Sequence, residues 1–196
     1  MSFAMPLSVG YESDAEYFDI EVAEAASSDA VISAMNAKQT EGIIVTGCVL
    51  LPDNAQNAMA SVRAADYAVC FRDGYDPGFD IKAAVAAFNS ADSFIISKEN
   101  KKAAKKKYNS RSSGGETPAF KEIDLKKHIY MLSIADDNSL FMRVSAGSAD
   151  NIKPELVVSS LCQKAGKELS NTVLLVTRKE LYTDNMLALL DVGHVF

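Results

Sequence analysis

The chain has 196 residues, 48% hydrophobic and 23% charged, with three Cys, no Trp and a formal net charge of −6. That length suits one domain with a substantial core, and the composition excludes a disordered, collagen-like or disulfide-dense chain. The longest apolar run, residues 42–51, is about half of the roughly 20 residues that a membrane-crossing helix needs.

The total conceals an uneven distribution. Residues 1–97 carry four basic and fourteen acidic residues, a net of −10, whereas residues 98–128 carry ten basic and four acidic, a net of +6. The remainder, residues 129–196, has a net of −2. A local basic block can attract a polyanion even in an acidic protein, because screening limits each charge to a range of about 10 Å. The first ten residues hold neither a cationic segment nor a long apolar run, so no secretory leader is expected. Cys48, Cys70 and Cys162 are odd in number, far apart and set in apolar segments, the pattern of free buried thiols in a reducing compartment such as the cytoplasm.

In chain order, Tyr17–Ala23 alternates apolar with acidic residues and predicts a strand with one solvated face. Ser27 or Ser28 then caps a helix to about Ala37, with Val31, Ile32 and Met35 at helical spacing. Residues 43–51 form a near-continuous β-branched and aliphatic run, the pattern of a strand buried on both faces. Pro52, Asp53 and Asn54 end it, and Ala55–Ala65, free of Gly and Pro, predicts a helix. Tyr67–Phe71 reads as a strand, Asp73–Gly78 as a turn, Ile81–Phe88 as an Ala-rich helix and Ser93–Ser97 as another strand. This alternation implies parallel βαβ units with right-handed crossovers, hence an α/β domain with a central, mostly parallel sheet.

Lys98–Tyr108 holds strong helix formers and no breaker, with Ser97 placed as an N-cap, so its first half is expected to be helical. Lys98, Lys101, Lys102 and Lys105 then share one cationic face, with Lys106 at its margin and Lys107 beyond. Residues 109–118 (NSRSSGGETP) read as a flexible loop that carries Arg111, after which Lys121, Lys126 and Lys127 restore positive charge. His128–Ile134 and Ser139–Val144 predict a C-terminal antiparallel hairpin closed by Asp136, Asp137 and Asn138. Pro154 opens an amphipathic helix with Leu156, Val157, Leu161 and Leu169, Thr172–Thr177 is a buried strand, and Asp184 caps a final helix through Leu190. The whole reads as a single globular domain with a basic helix and loop inserted at about residues 98–120. The alternative arrangement is α+β, with the hairpin strands in a larger antiparallel sheet.

The chemistry-bearing motifs are sparse. Gly47 stands alone in Thr46-Gly47-Cys48, without the second Gly or the Lys-Ser/Thr of a phosphate-binding loop, and suits close packing instead. Ala65–Cys70 followed by Asp73–Gly78 resembles the strand and Asp/Gly turn of nucleoside deoxyribosyltransferase-type Rossmannoid enzymes. Where the resemblance implies a catalytic Glu, the stretch Phe79-Asp80-Ile81-Lys82 offers Lys82, which cannot act as a carboxylate nucleophile. The activity is therefore not carried over, and Asp73, Asp76 and Asp80 read as turn and cap residues. The only His residues, His128 and His194, belong to no metal-ligand spacing, so neither metal, cofactor nor catalytic residue is assigned.

The basic block is the leading candidate. Lys98, Lys101, Lys102, Lys105, Lys106, Lys107, Arg111, Lys126 and Lys127 suit phosphate contacts, and Tyr108, Phe120 and Tyr130 could stack on unpaired bases. The expected function is non-enzymatic binding of single-stranded RNA or DNA with little sequence preference. The alternative is an assembly subunit of a homo-oligomeric particle, for instance a viral one, whose acidic and basic patches meet between copies. A Rossmannoid nucleotide-handling enzyme, its site built from residues distant in sequence, is the third reading.

Overall fold

The computed structural model describes residues 1–99, 120–148 and 150–196. Its strands are β1 (Ser2–Phe3), β2 (Tyr11–Ser13), β3 (Phe18–Asp19), β4 (Ala64–Phe71), β5 (Ile95–Glu99), β6 (Phe120–Asp124), β7 (Ile129–Ile134), β8 (Leu140–Ser145) and β9 (Leu174–Tyr182). Its α-helices are α1 (Ser28–Asn36), α2 (Ala58–Ser61), α3 (Ile81–Ser90) and α4 (Pro154–Lys164).

The main sheet has the order β2-β9-β4-β8-β7. Only β2 and β9 run parallel; β4 pairs antiparallel with both β8 and β9, and β7 with β8. The architecture is therefore mixed α+β, and the expected mostly parallel α/β sheet is wrong, while the α+β alternative fits. The reason lies in pairing distance. Both neighbours of β4 come from the C-terminal third, so the strand–helix rhythm of residues 43–97 never closes into βαβ units. Strand β5 leaves the main sheet and pairs antiparallel with β6.

The strand expected at residues 43–51 does not form. Ile43 and Ile44 are 57% and 76% exposed, and only Leu50 makes a bridge, to His194. β-branched residues favour a strand only where an edge is free to pair and a face to pack, and β8 and β9 already flank β4. The helix expected at Ala55–Ala65 shrinks to α2, capped by Asn57, whose Oδ1 accepts from the Ala60 amide at 2.9 Å. Beyond it Val62, Ala64 and Ala65 are fully buried as the chain enters β4, so tertiary pairing overrides alanine's helix preference. The strand at Tyr17–Ala23 is reduced to β3, and the final helix after Asp184 is replaced by a 3₁₀ turn at Leu189–Val192.

Elsewhere local chemistry decides the outcome. Ser27 caps α1 and Asp80 caps α3, each accepting from an amide three residues on (3.1 and 3.0 Å). Pro154 opens α4, where its missing N–H costs nothing. Asn138 adopts a φ of 62° in the β7–β8 turn. Val157, Val158 and Leu161 of α4 and Val85 and Phe88 of α3 join Val69, Met142, Val144, Val176 and Leu181 of the sheet in one core. Gly47 packs against Leu190, which a Cβ there would meet at 3.1 Å.

Gly147, just after β8, has a φ of 103°, and a Cβ there would strike the carbonyl oxygen of Val62. Gly147→Ala is expected to lose about 2 kcal/mol from backbone strain and displacement of β4's lead-in. Urea denaturation measures this, and a loss below a few tenths of a kcal/mol would contradict the close approach.

Candidate functional site

Three polar features stand out. The first is the β5–β6 hairpin, whose register runs from Ile95↔Asp124 to Glu99↔Phe120. Residues 100–119 thus leave and re-enter the fold at one pair of adjoining strand ends. The hairpin is fastened at its base: buried Leu125 follows β6, and Asp124 Oδ1 accepts from the amides of Phe94 (2.9 Å) and Lys126 (3.2 Å). The bond from the Phe94 amide is the main reason the Asp124 carboxyl lies below the usual aspartate range.

Of the residues expected to bind phosphate, Lys101, Lys102, Lys105, Lys106, Lys107, Tyr108 and Arg111 lie outside the described residues. Lys98 does not begin a helix; it continues β5, because pairing with β6 extends past Ser97 to Glu99. Lys126 is committed elsewhere. Its Nζ donates to the carbonyls of Phe88 (3.1 Å) and Asn89 (3.2 Å) and stands 4.7 Å from the Phe88 ring centroid, capping the C-terminal end of α3. Lys127 is exposed, as is Phe120 (62%). Tyr130 is half-exposed, with its hydroxyl 3.0 Å from Ser145 Oγ.

The second feature ties the centre of the sheet together. Arg143 on β8 forks onto Asp66 on β4 through Nε–Oδ1 (2.7 Å) and Nη2–Oδ2 (2.8 Å). Tyr182 at the end of β9 donates to Asp66 Oδ2 and accepts from Arg143 Nη2, both at 2.8 Å, with its ring 4.1 Å from the guanidinium. Asp66 takes three hydrogen bonds from the other two side chains, so the three residues form a cross-strand clamp. Burial first, and then the bond to Asp66, push the Tyr182 phenol up to about 12.

The sign of the linkage follows from that elevation. Stability from the protonated phenol is complete below the ordinary tyrosine value of about 10 and is lost as pH rises through about 12. Tyr182→Phe should therefore flatten the fall in stability between pH 10 and 12, as read by denaturation at successive pH values. Identical profiles for the two proteins would contradict the clamp.

The third feature is a cavity of about 440 Å³ between the N-terminal segment, β2, β4, β9 and the start of α4. Tyr11, Met59, Tyr67, Asn151, Lys153 and Arg178 are among its lining residues. Arg178, only 1% exposed, lies at its core side; its Nε donates to Glu16 Oε1 at 2.9 Å, and its Nη2 to the same oxygen and to the Met5 carbonyl. The rings of Tyr11 and Tyr67 meet edge to face at 6.2 Å. Sequence reasoning missed this cavity, although Leu174, Val176 and Arg178 alternate on one face of β9, a charge where the period demands an apolar residue.

Asp76 and Asp80 do act as turn and cap: Asp76 Oδ1 accepts from the Gly78 amide at 2.8 Å, and Asp80 caps α3. The three cysteines are free. Cys162 is buried, whereas Cys48 and Cys70 are half-buried, and burial raises the thiols of Cys70 and Cys162, so neither is a ready nucleophile. Among the described residues, no group of three His, Cys, Asp or Glu side chains converges, and no helix is long and apolar enough to cross a membrane.

No curated protein and no solved structure matches the chain. Residues 1–154 match the model of a family described as an uncharacterized protein conserved in bacteria, DUF2344. With well over half of its length matched, the chain belongs to the DUF2344 family.

Proposed function

We propose that the protein binds single-stranded nucleic acid, with little sequence preference and without catalysis, through the segment that joins β5 to β6. One observation carries this reading. Residues 100–119 contain six basic residues and one acidic residue, a net of +5, and their two ends are tied together by paired strands. The charge is thus delivered from one place on an otherwise acidic chain, which suits sequence-independent contact with a phosphate backbone. Phe120, 62% exposed where the segment re-enters, offers a ring for stacking on a base. Lys98 lies two residues before the segment, whereas Lys127 follows β6 at the far end of the hairpin. Lys126, committed to α3, is left out of the interface. The free thiols suit the cytoplasm.

Mobility shifts of a single-stranded oligonucleotide over a salt series test the proposal. With about five phosphate contacts, log affinity should fall against log salt with a slope near −3.5. No shift at low salt overturns the reading. Salt-sensitive self-association without nucleic acid, seen by light scattering, would instead favour contact between the basic segment and the acidic half of another copy.

A further inference from the structure

Residues 43–49 are extended, yet no strand among the described residues pairs with them. They run without turn or bend to Leu50, whose N–H and C=O pair with those of His194 at 2.9 and 3.1 Å. On the opposite edge a side chain stands in for a strand. Asn36 Nδ2 donates to the Val45 carbonyl at 2.9 Å, and its Oδ1 accepts from the Val45 amide at 2.7 Å. Alternation along an extended chain then puts Ile44 and Thr46 on the edge that Leu50 presents to the tail. Among the described residues, neither the N–H nor the C=O of Ile44 or Thr46 has a hydrogen-bond partner. The side chains around this edge are apolar: Ile43, Ile44 and Leu50 are exposed, Val195 of the tail is 75% exposed, and Leu190 lies against Gly47. Free edges are commonly blunted by charge or proline, and residues 42–51 contain neither. An uncharged β-branched edge with free main-chain groups is a template for another strand.

The surrounding charge decides which strand fits. Glu41 and Asp53 stand exposed at the two ends of the segment, exposed Asp191 follows Leu190, and residues 1–62 hold a single cation, Lys38. Antiparallel pairing with a second copy about Gly47 would set Glu41 against Asp53, like charge against like. We propose that residues 43–49 bind, by strand addition, an extended peptide of a partner protein that is apolar at its centre and cationic at both ends. Its main chain bonds to Ile44 and Thr46, continuing the ladder that His194 begins at Leu50. Its apolar side chains cover Ile44 and Leu50, and its flanking lysines or arginines meet Glu41 and Asp53. No residue of the basic segment takes part, so the inference stands apart from nucleic-acid binding.

Fluorescence anisotropy of the full chain with a labelled peptide of alternating Val and Thr, flanked at each end by two lysines, tests it. The dissociation constant should be about 100 μM or below. Glutamates in place of the flanking lysines should weaken binding at least tenfold, roughly. Only one edge of the peptide pairs, so N-methylation of one alternate set of its amides should abolish binding and of the other set should preserve it. Ile44→Lys should weaken binding by about tenfold or more, without moving the melting temperature, because that side chain is 76% exposed. No binding, equal binding of the lysine- and glutamate-flanked peptides, or equal binding of the two methylated peptides would overturn the inference. So would a dimer in light scattering that Ile44→Lys dissolves, since the edge would then be covered by a second copy.

Discussion

Glu16→Ala is expected to destabilise the fold by about 3–5 kcal/mol, a large share of the stability of a typical domain. The asymmetry of the Glu16–Arg178 pair is the reason. The Arg178 side chain is 1% exposed, whereas that of Glu16 is 42% exposed. Without Glu16, the guanidinium keeps only the Met5 carbonyl among its hydrogen-bond acceptors, while β9 holds it on the core face between Val176 and Leu181. Removing the arginine instead leaves a carboxylate that can turn to solvent. Arg178→Met, which keeps much of the volume, should therefore cost only about 1 kcal/mol, and Glu16→Ala in that background should cost under about 1 kcal/mol. Urea denaturation of the two single variants and the double variant closes the cycle. Additive losses would contradict the account of a stranded buried charge.

The parts of this fold that were legible in the sequence are those decided within a few residues. Ser27 and Asp80 cap helices because their side-chain oxygens reach an amide three positions on, and the β7–β8 hairpin is set by Asp-Asp-Asn chemistry at its turn. What misled was the assumption that strands near in sequence pair with each other. Residues 43–51 have every local mark of a buried strand, yet the edges of β4 are taken by β8 and β9, some 75 and 110 residues further along the chain. No period or propensity encodes that choice. The same holds for the functional features. The excess of lysine was visible as composition, but that Lys126 caps α3 depends on Phe88 and Asn89, 38 and 37 residues away. Tyr11 and Arg178 line one cavity only because β2 docks in parallel on β9 beside the start of α4.

The largest effect on binding is expected from converting Lys101, Lys102, Lys105, Lys106 and Lys107 to Gln. These five supply most of the +5 between β5 and β6, and removing them leaves Arg111 opposed by Glu116. The substitutions leave the residues of β5, β6 and the described core unchanged, so the melting temperature should move little. If each contact to a single strand contributes about 0.7 to the salt slope, the slope should fall from about −3.5 to near zero, with affinity at low salt reduced by two or more orders of magnitude, roughly. Lys126→Gln should behave in the opposite way, lowering stability through the lost cap on α3 while leaving the salt slope unchanged.

The most direct measurement is therefore the salt dependence of single-stranded oligonucleotide affinity, compared between the natural protein and the five-lysine variant at matched stability. The account predicts a steep slope for the natural protein and a nearly flat one, with weak binding, for the variant. Equal slopes and affinities in the two proteins would contradict it.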